Sequence, residues 1–420
     1  MAAFESAELP TGQEELWRYS RIAELQLGRF APVTAARARA IPPIPRAAQG
    51  LLDRIGDRGG LVITYDGVIV EASLGEAALS HGIHLSSAAT HQDAEQLVGS
   101  VSAHFAERGD RDALDWLADA FVGEVTVLTV PRSVELAEPI VLVHVIGPPS
   151  GAPATSDEPA ALCAVFPRTL VHLAENAGAS VVEILVSGDT EMLVAPTTEL
   201  SISDGARLTH HYVQQLGTGS WHLGRLFARA GRDATLKSFQ ASLGGSYARS
   251  RTDSVLTGQG GTAQLLAAFL GDGNQMHDFR TLQEHSAPRT TSDLVFKGAV
   301  GGTSRSVYSG MIHMRHGARG ANAFQTNRNL VLSDGAHADS VPNLDIEEND
   351  VRCSHASAVG PIEEEQRFYL ESRGVPREAA ERLILLGFFG ELLERVMPAV
   401  GDHIVASIRD RVAAITGAAL

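Results

Sequence analysis

The residues of this sequence that are best placed to do chemistry are a cysteine and a histidine two positions apart. Cys353 and His355 lie in the stretch NDVRCSHASAVG, residues 349–360. On a β-strand, residues i and i+2 share a face, so the thiol and the imidazole would point the same way. Such a pair fits a metal site, a catalytic pair or two structural neighbours. The residues alone favour two structural side chains.

The other histidines and the second cysteine fit structural roles better than a metal site. The densest histidine clusters are HMRH, with His313 and His316, and THH, with His210 and His211. Adjacent residues of a strand face opposite ways, so His210 and His211 cannot both bind one metal ion without distortion. We expect these histidines to be hydrogen-bonded or solvent-facing. Cys163, in the apolar run AALCAVF, fits a small buried side chain.

An acidic run and a glycine-containing turn are the remaining candidates. The run LDIEEND could contain a carboxylate pair suited to glycoside hydrolysis; its acidic residues are Asp345, Glu347, Glu348 and Asp350. A solvated turn is the better interpretation, because the N-terminal stretch has no secretory pattern and aromatic platforms for sugars are scarce. GRDATLKS, at Gly231, is the nearest approach to a P-loop. Leu236 stands where its second glycine is required, so we expect no ATP site in this chain.

The composition argues against several classes of partner. The formal net charge is −16 and the only lysines are Lys237 and Lys297, whereas nucleic acids and anionic membranes require clustered positive charge. No apolar run is long enough to span a bilayer. We therefore expect a cytoplasmic protein that binds neither nucleic acid nor membrane. Two cysteines cannot supply the four thiolates that an iron–sulfur cluster usually requires, so any cluster would be shared with another protein.

The elements that must position these residues begin with a mixed region. Residues 1–135 combine helix and strand patterns and predict an N-terminal helical or α+β domain. The pattern predicts a helix start over residues 12–25, a hairpin with its turn at Tyr65, Asp66 and Gly67, and helical spacing over residues 91–122. Residues 35–50 are rich in proline, which predicts an extended segment. The sequence assigns no role to this segment.

Residues 136–360 carry a repeat of short strands and turns. Turn residues recur at intervals of about 27 residues at four aligned glycines, Gly178, Gly205, Gly231 and Gly261. Looser copies are VGGTSRSVYSGMI and LSDGAHADSVPNL. Coils of this length stack into a β-solenoid, in which neighbouring coils bury the apolar face that one coil cannot bury alone. An antiparallel sandwich is the alternative, and the regular period favours the solenoid. Cys353 and His355 would then lie at one end, where another chain could approach.

Residues 361–420 predict a C-terminal helical domain. Apolar residues at helical spacing form a stripe that needs a surface to bury against. These helices either cap the solenoid or dock a partner. If they dock a partner, the residues that bind it are expected to be Leu385, Phe389, Leu392, Val396, Ile404 and Ile408.

Residues 325–375 resemble the signature region of the SufB/SufD family of iron–sulfur cluster assembly proteins. The matching run is P-N-L-D-I-x-x-N-D-V-R-C-S-H, followed by E-E-E-Q-x-F-Y-L-x-S-R-G. The similarity extends more loosely over most of the chain, through EELWRYS, VPRSVELAEPIVL and AGASVVEILVS. The length and the two cysteines resemble SufD more than SufB.

The resemblance implies a fold and a set of partners. The fold would be a right-handed parallel β-helix flanked by N-terminal and C-terminal helical domains. The partners would be SufB, bound through the end of the β-helix, and the ATPase SufC, held by the C-terminal helices. Reduced FAD is implied for the complex as a whole, and the chain alone could form a homodimer.

The resemblance also implies a role for the cysteine–histidine pair. His355 would hold a nascent iron–sulfur cluster together with SufB, and Cys353 is a second candidate ligand. The chain would then be a scaffold rather than an enzyme. Two other functions stay open: a structural partner that stabilises SufB without cluster ligands, and a polysaccharide-active β-helix enzyme.

Overall fold

Parallel strands wound into stacked coils form the central part of the chain. The computed structural model describes residues 2–33, 44–90, 111–147 and 162–416. The strands are β1 Phe30–Pro32, β2 Gly60–Tyr65, β3 Val68–Leu74, β4 His84–Ser87, β5 Val125–Val130, β6 Ile140–Ile146, β7 Leu162–Val165, β8 Arg168–Leu173, β9 Gly178–Ser187, β10 Met192–Val194, β11 Thr197–Ile202, β12 Arg207–Gln215, β13 Trp221–Ala230, β14 Thr235–Ser242, β15 Tyr247–Leu256, β16 Thr262–Gly271, β17 Met276–His285, β18 Thr291–Val300, β19 Arg305–Met314, β20 Asn322–Val331, β21 His337–Ile346 and β22 Arg352–Gly360. The α-helices are α1 Ala2–Ser6, α2 Arg46–Ile55, α3 Glu76–Ser80, α4 Ala113–Ala120, α5 Glu364–Ser372, α6 Arg377–Leu393 and α7 Pro398–Thr416. Single 3₁₀ turns cover Glu15–Trp17, Ile22–Glu24, Leu27–Arg29 and Ala88–Thr90.

Two long sheets face each other across the core. Sheet one has the order β22-β20-β18-β16-β14-β12-β9-β6-β2-β3. Sheet two has the order β21-β19-β17-β15-β13-β11-β8-β5-β4, with β1, β7 and β10 paired beside it. From β11 to β22, consecutive strands alternate between the two sheets. Each strand pairs in parallel with the next strand of its own sheet, which makes a solenoid of about seven turns. The predicted parallel solenoid is therefore confirmed, and the antiparallel sandwich is excluded.

The repeat is marked by one backbone conformation more than by one residue type. A residue with positive φ stands two positions before each of six successive strands of sheet one: Asn176, Gly205, Asp233, Gly260, Arg289 and Gly320. Its N–H donates to a carbonyl of the next coil, as from Gly205 to Arg232 at 2.8 Å and from Gly320 to Asp350 at 2.6 Å. Glycine adopts this conformation without strain, and asparagine and aspartate tolerate it, so the glycine pattern follows the turns imperfectly.

The looser copies of the repeat belong to the other sheet. VGGTSRSVYSGMI leads into β19 and LSDGAHADSVPNL leads into β21, and both strands lie in sheet two. The coils that continue sheet one begin instead at Thr291 and Asn322. The repeat identified from the sequence is therefore displaced by half a coil between its fourth copy, which leads into β16 of sheet one, and its fifth copy, which leads into β19 of sheet two.

The first 135 residues contribute strands to both sheets. β2 pairs in parallel with β6, and β5 pairs in parallel with β8. β2 and β3 form the predicted antiparallel hairpin, with φ of 51° at Asp66 and 82° at Gly67. The division into domains at about residue 135 stays a prediction. The strands before and after this position belong to the same two sheets. Residues 35–43 of the proline-rich segment and residues 91–110 of the predicted helix lie outside the described residues.

The expected helix over residues 12–25 is wrong; the segment forms short 3₁₀ turns and lies against the outer face of sheet two. The Arg249 guanidinium donates to the Leu16 carbonyl at 2.6 Å and stacks over the Trp17 ring at 3.8 Å. Arg280 donates to the Arg18 carbonyl at 2.6 Å. Contacts with the sheet, rather than helical hydrogen bonds, therefore hold this segment.

The C-terminal helices cover the outer face of sheet one. The six side chains assigned to partner binding are between 0% and 7% exposed, and they pack in one cluster with the valines of β6 and β9. The assignment of those six residues to a partner surface is therefore corrected: their apolar stripe is already buried within the chain. No described helix combines the length and apolar character that crossing a membrane requires.

Candidate functional site at the open end of the solenoid

The last coil ends in two edge strands. β21 pairs with β19 and β22 pairs with β20, and within the described part of the chain neither has a second hydrogen-bonded neighbour. Leu344 and Ile346 stand beside the buried Ile312 and Met314, so they face inward, yet they are 37% and 47% exposed. Val359 on β22 is 45% exposed. The inner face of this coil is therefore uncovered, and its edges present backbone groups that can pair with another strand.

Cys353 and His355 lie on this inner face. In the β20–β22 ladder Cys353 stands beside Ala323 and His355 beside Gln325, and both of these neighbours are buried. Because strand residues two apart share a face, the thiol and the imidazole both project towards the open end. Cys353 is half-buried in a cluster with Ile312 and other apolar side chains, whereas His355 is exposed.

The two side chains differ in what they can bind. Burial raises the pKa of the Cys353 thiol to about 11, so at neutral pH it is protonated, and metal binding requires the thiolate. The exposed imidazole of His355 can offer a ring nitrogen to a metal without disturbing a buried contact. His355 is therefore the stronger candidate ligand, and Cys353 also packs against the apolar cluster of Ile312. Cys163 is 3% exposed in an apolar cluster, as the sequence predicts.

A second histidine cluster lies inside the solenoid. The Glu183 carboxylate is hydrogen-bonded to His144 Nε2 at 3.0 Å and to His210 Nε2 at 3.2 Å, and Thr198 donates to it at 2.9 Å. Burial alone would raise the pKa of Glu183, but the hydrogen bonds from the two histidines hold it well below its usual range. His210 is thus hydrogen-bonded, as expected. Sequence reasoning missed Glu183, whose signal is a carboxylate inside the apolar strand VVEILV.

The acidic run converges on a histidine of the neighbouring coil. His313 Nε2 lies 3.4 Å from Asp345 Oδ2 and 3.3 Å from Glu347 Oε1. His313 pairs with Asp345 in the β19–β21 ladder, on the outer face of sheet two. The hydrogen bond from His313 lowers the pKa of Glu347. Sequence reasoning treated these residues separately, because only the coil register brings them together.

The fold and this uncovered coil define a class: a parallel β-solenoid protein with metal-competent side chains at an end that another chain can extend. Comparison with protein families then gives the identity. Residues 155–388 match the family model described as SUF system FeS cluster assembly, SufBD core domain. The chain belongs to the SufBD family of iron–sulfur cluster assembly proteins.

Individual relatives agree with this assignment. The chain is 37% identical over 292 residues to an iron–sulfur cluster assembly SufBD family protein of Mycobacterium tuberculosis, which covers 67% of this chain and 70% of the relative. It is 28% identical over 388 residues to SufD of Escherichia coli, covering 92% and 85%. It is 28% identical over 319 residues to SufD of Bacillus subtilis, covering 74% and 70%. The family and the similarity to SufD are confirmed, and they support a role in iron–sulfur cluster assembly within the SUF system.

Proposed function

We propose that this chain is a scaffold subunit, without ATPase activity of its own, of a complex with SufB and SufC that assembles iron–sulfur clusters. SufB binds the open end of the solenoid. The nascent cluster is cargo shared between the two chains, and His355 is the ligand from this chain, with Cys353 as a second candidate. ATP hydrolysis takes place in SufC.

The observation that carries this proposal is the uncovered inner face of the last coil. Apolar side chains that face the core elsewhere in the solenoid are exposed here, and two strands have free edges. A second solenoid end would bury Leu344, Ile346 and Val359 and pair with the free edges. The His355 imidazole lies on the same face, so it would become buried between the two chains. An interface of this kind would limit the access of solvent to a metal site.

We assign SufC docking to the outer surface of α5 and α6. The buried stripe of these helices is occupied by sheet one, but Phe368 is 71% exposed, Tyr369 57% and Leu383 52%. An open groove of about 670 Å³ runs between α5, α6 and the end of β22. Exposed aromatic side chains are typical of protein-binding surfaces.

The complex can be tested by co-purification. A tagged copy of this chain is expressed with SufB and SufC of the same organism, and the eluted species is weighed by native mass spectrometry under anaerobic conditions. We expect one SufB, one copy of this chain and two SufC. Elution of the chain alone, as a monomer or a homodimer, would contradict the proposal.

The ligand is tested in the same complex. His355→Ala should leave the complex intact and lower the recovered iron and acid-labile sulfide roughly tenfold, because even outer partners of metal sites contribute roughly 10- to 100-fold in affinity. His337→Ala is the matched control, since His337 is an exposed histidine on the outer face of β21. An unchanged yield in His355→Ala would remove His355 from the site and leave the chain as a structural partner of SufB.

A further inference from the structure

Three side chains on the outer face of sheet two have the composition and spacing of a metal site. His313, Asp345 and Glu347 each present one ligand atom, and these atoms lie within 4.8 Å of one another. Metal–ligand bonds of roughly 2.1 Å place neighbouring ligand atoms about 3.0 Å apart and opposite ones about 4.2 Å apart. The measured 3.4 Å and 3.3 Å from the imidazole nitrogen to the two carboxylates therefore require only small movements to enclose an ion.

The backbone holds this arrangement in place. His313 and Asp345 are direct neighbours in the parallel ladder, so their side chains emerge side by side. The Glu347 N–H donates to the Met314 carbonyl at 2.8 Å, which continues the ladder past the end of β21. The His316 N–H donates to the Glu347 carboxylate at 3.4 Å. The ligand set thus stands on paired strands rather than on a free loop.

The local charge favours a cation between the carboxylates. Two carboxylates converge on one imidazole nitrogen, and like charges at this separation repel unless positive charge lies between them. Arg315 supplies little of it, because one of its nitrogens is 3.8 Å from Glu347 and the other is drawn to Glu284 at 3.2 Å. His313 and Asp345 also line an open groove of about 720 Å³, which gives an ion access from solvent.

We propose that His313, Asp345 and Glu347 bind one divalent cation of the first transition row, such as Fe²⁺ or Mn²⁺. One imidazole and two carboxylates form a nitrogen–oxygen ligand set suited to these ions, with the remaining positions open to water. The inference does not depend on the proposed function. This cluster lies on the outer face of sheet two, whereas His355 lies on the inner face of sheet one.

The test is a titration of the full-length, chelator-treated chain with Mn²⁺, in which the loss of the free-ion electron paramagnetic resonance signal counts bound ions. We expect one saturable site per chain. His313→Ala and Glu347→Gln should each weaken it at least tenfold, since loss of an outer partner alone costs roughly that much. Arg315→Gln should strengthen it modestly, because the variant removes a guanidinium 3.8 Å from Glu347 that repels an incoming cation.

Two controls separate this site from other histidines. His337→Ala removes an exposed histidine with its own carboxylate partner, Asp339, at 3.1 Å, and it should leave the affinity unchanged. The double variant Cys353→Ser with His355→Ala should also leave it unchanged. The absence of saturable binding, or binding that survives both His313→Ala and Glu347→Gln, would overturn the proposal. Matching thermal melts of all variants would show that the side chains were changed without unfolding the chain.

Discussion

Lowering the pH from 7 to 5 should destabilise the folded chain, because burial holds several of its histidines neutral, three of them most strongly. Burial lowers the pKa of His211, His222 and His277 to about 3, whereas the pKa of a histidine in the unfolded chain is about 6.5. Between these values the unfolded chain binds more protons, so the free energy of unfolding falls as the pH falls. One such histidine contributes about 2 kcal/mol between pH 7 and 5, and these three contribute about 6 kcal/mol. Burial also lowers the pKa of His285 and of His403 to about 4, which adds to the loss. That loss is comparable with a total stability of about 5–15 kcal/mol.

His211 shows why protonation is unfavourable. The Met397 N–H donates to His211 Nε2 at 3.2 Å, so this nitrogen must carry a lone pair. A protonated ring would set one N–H against another. Met397 joins α6 to α7, and acid should therefore loosen the contact between these helices and sheet one.

The assay is urea unfolding followed by far-ultraviolet circular dichroism at pH 7, 6 and 5. The native chain should lose at least about 6 kcal/mol of unfolding free energy over this range, and His211→Asn should lose about 2 kcal/mol less than the native chain, whatever its stability at pH 7. His337→Ala, which changes an exposed histidine, should match the native chain. A native loss below about 2 kcal/mol, or an identical pH dependence in His211→Asn, would refute the assignment of neutral buried histidines.

Two further predictions concern the C-terminal helices. Phe389→Ala should lower the unfolding free energy by about 3–5 kcal/mol, because Phe389 is fully buried in the cluster that joins α6 to sheet one; a loss below about 1 kcal/mol in urea unfolding would mean that α6 is not part of the core. Phe368→Asp combined with Tyr369→Ser should abolish SufC co-purification while SufB is retained. Leu79→Asp, at an apolar residue that is 60% exposed on α3, is the control that should keep both partners.

The sequence predicted the architecture better than the sites. A regular period of turns was enough for the solenoid, because stacked coils repeat the same backbone geometry even when glycine is replaced by Asp233 or Arg289. The contacts of His313 with Asp345 and Glu347 depend on the register between coils, which a half-coil error in the repeat concealed. Register also decides which histidine reaches Glu183. Periodicity is therefore enough to predict a coil, whereas predicting which side chains are neighbours requires the register between paired strands.

The buried stripe of the C-terminal helices shows a related limit of pattern reasoning. Apolar residues at helical spacing establish that a helix buries one face, but the pattern is the same whether that face meets the chain itself or another protein. The burial of Leu385 and Phe389 shows that this face packs against the chain itself. The exposed Phe368 and Tyr369, which make no such stripe, become the better candidates for a partner.

The location of these helices bears on the open end of the solenoid. A solenoid must keep its terminal coil from joining other edges, and a helix laid across the end is one solution. Here the helices that could serve as a cap pack instead on the flank of sheet one, and the inward-facing Leu344 and Ile346 stay exposed. Such exposure costs free energy in the isolated chain, because buried apolar area contributes roughly 25 cal/mol per Å². A partner that covers the coil recovers this free energy, and it would enclose His355 in the same step. Stability of the last coil and formation of the proposed ligand site would then be coupled to one binding event.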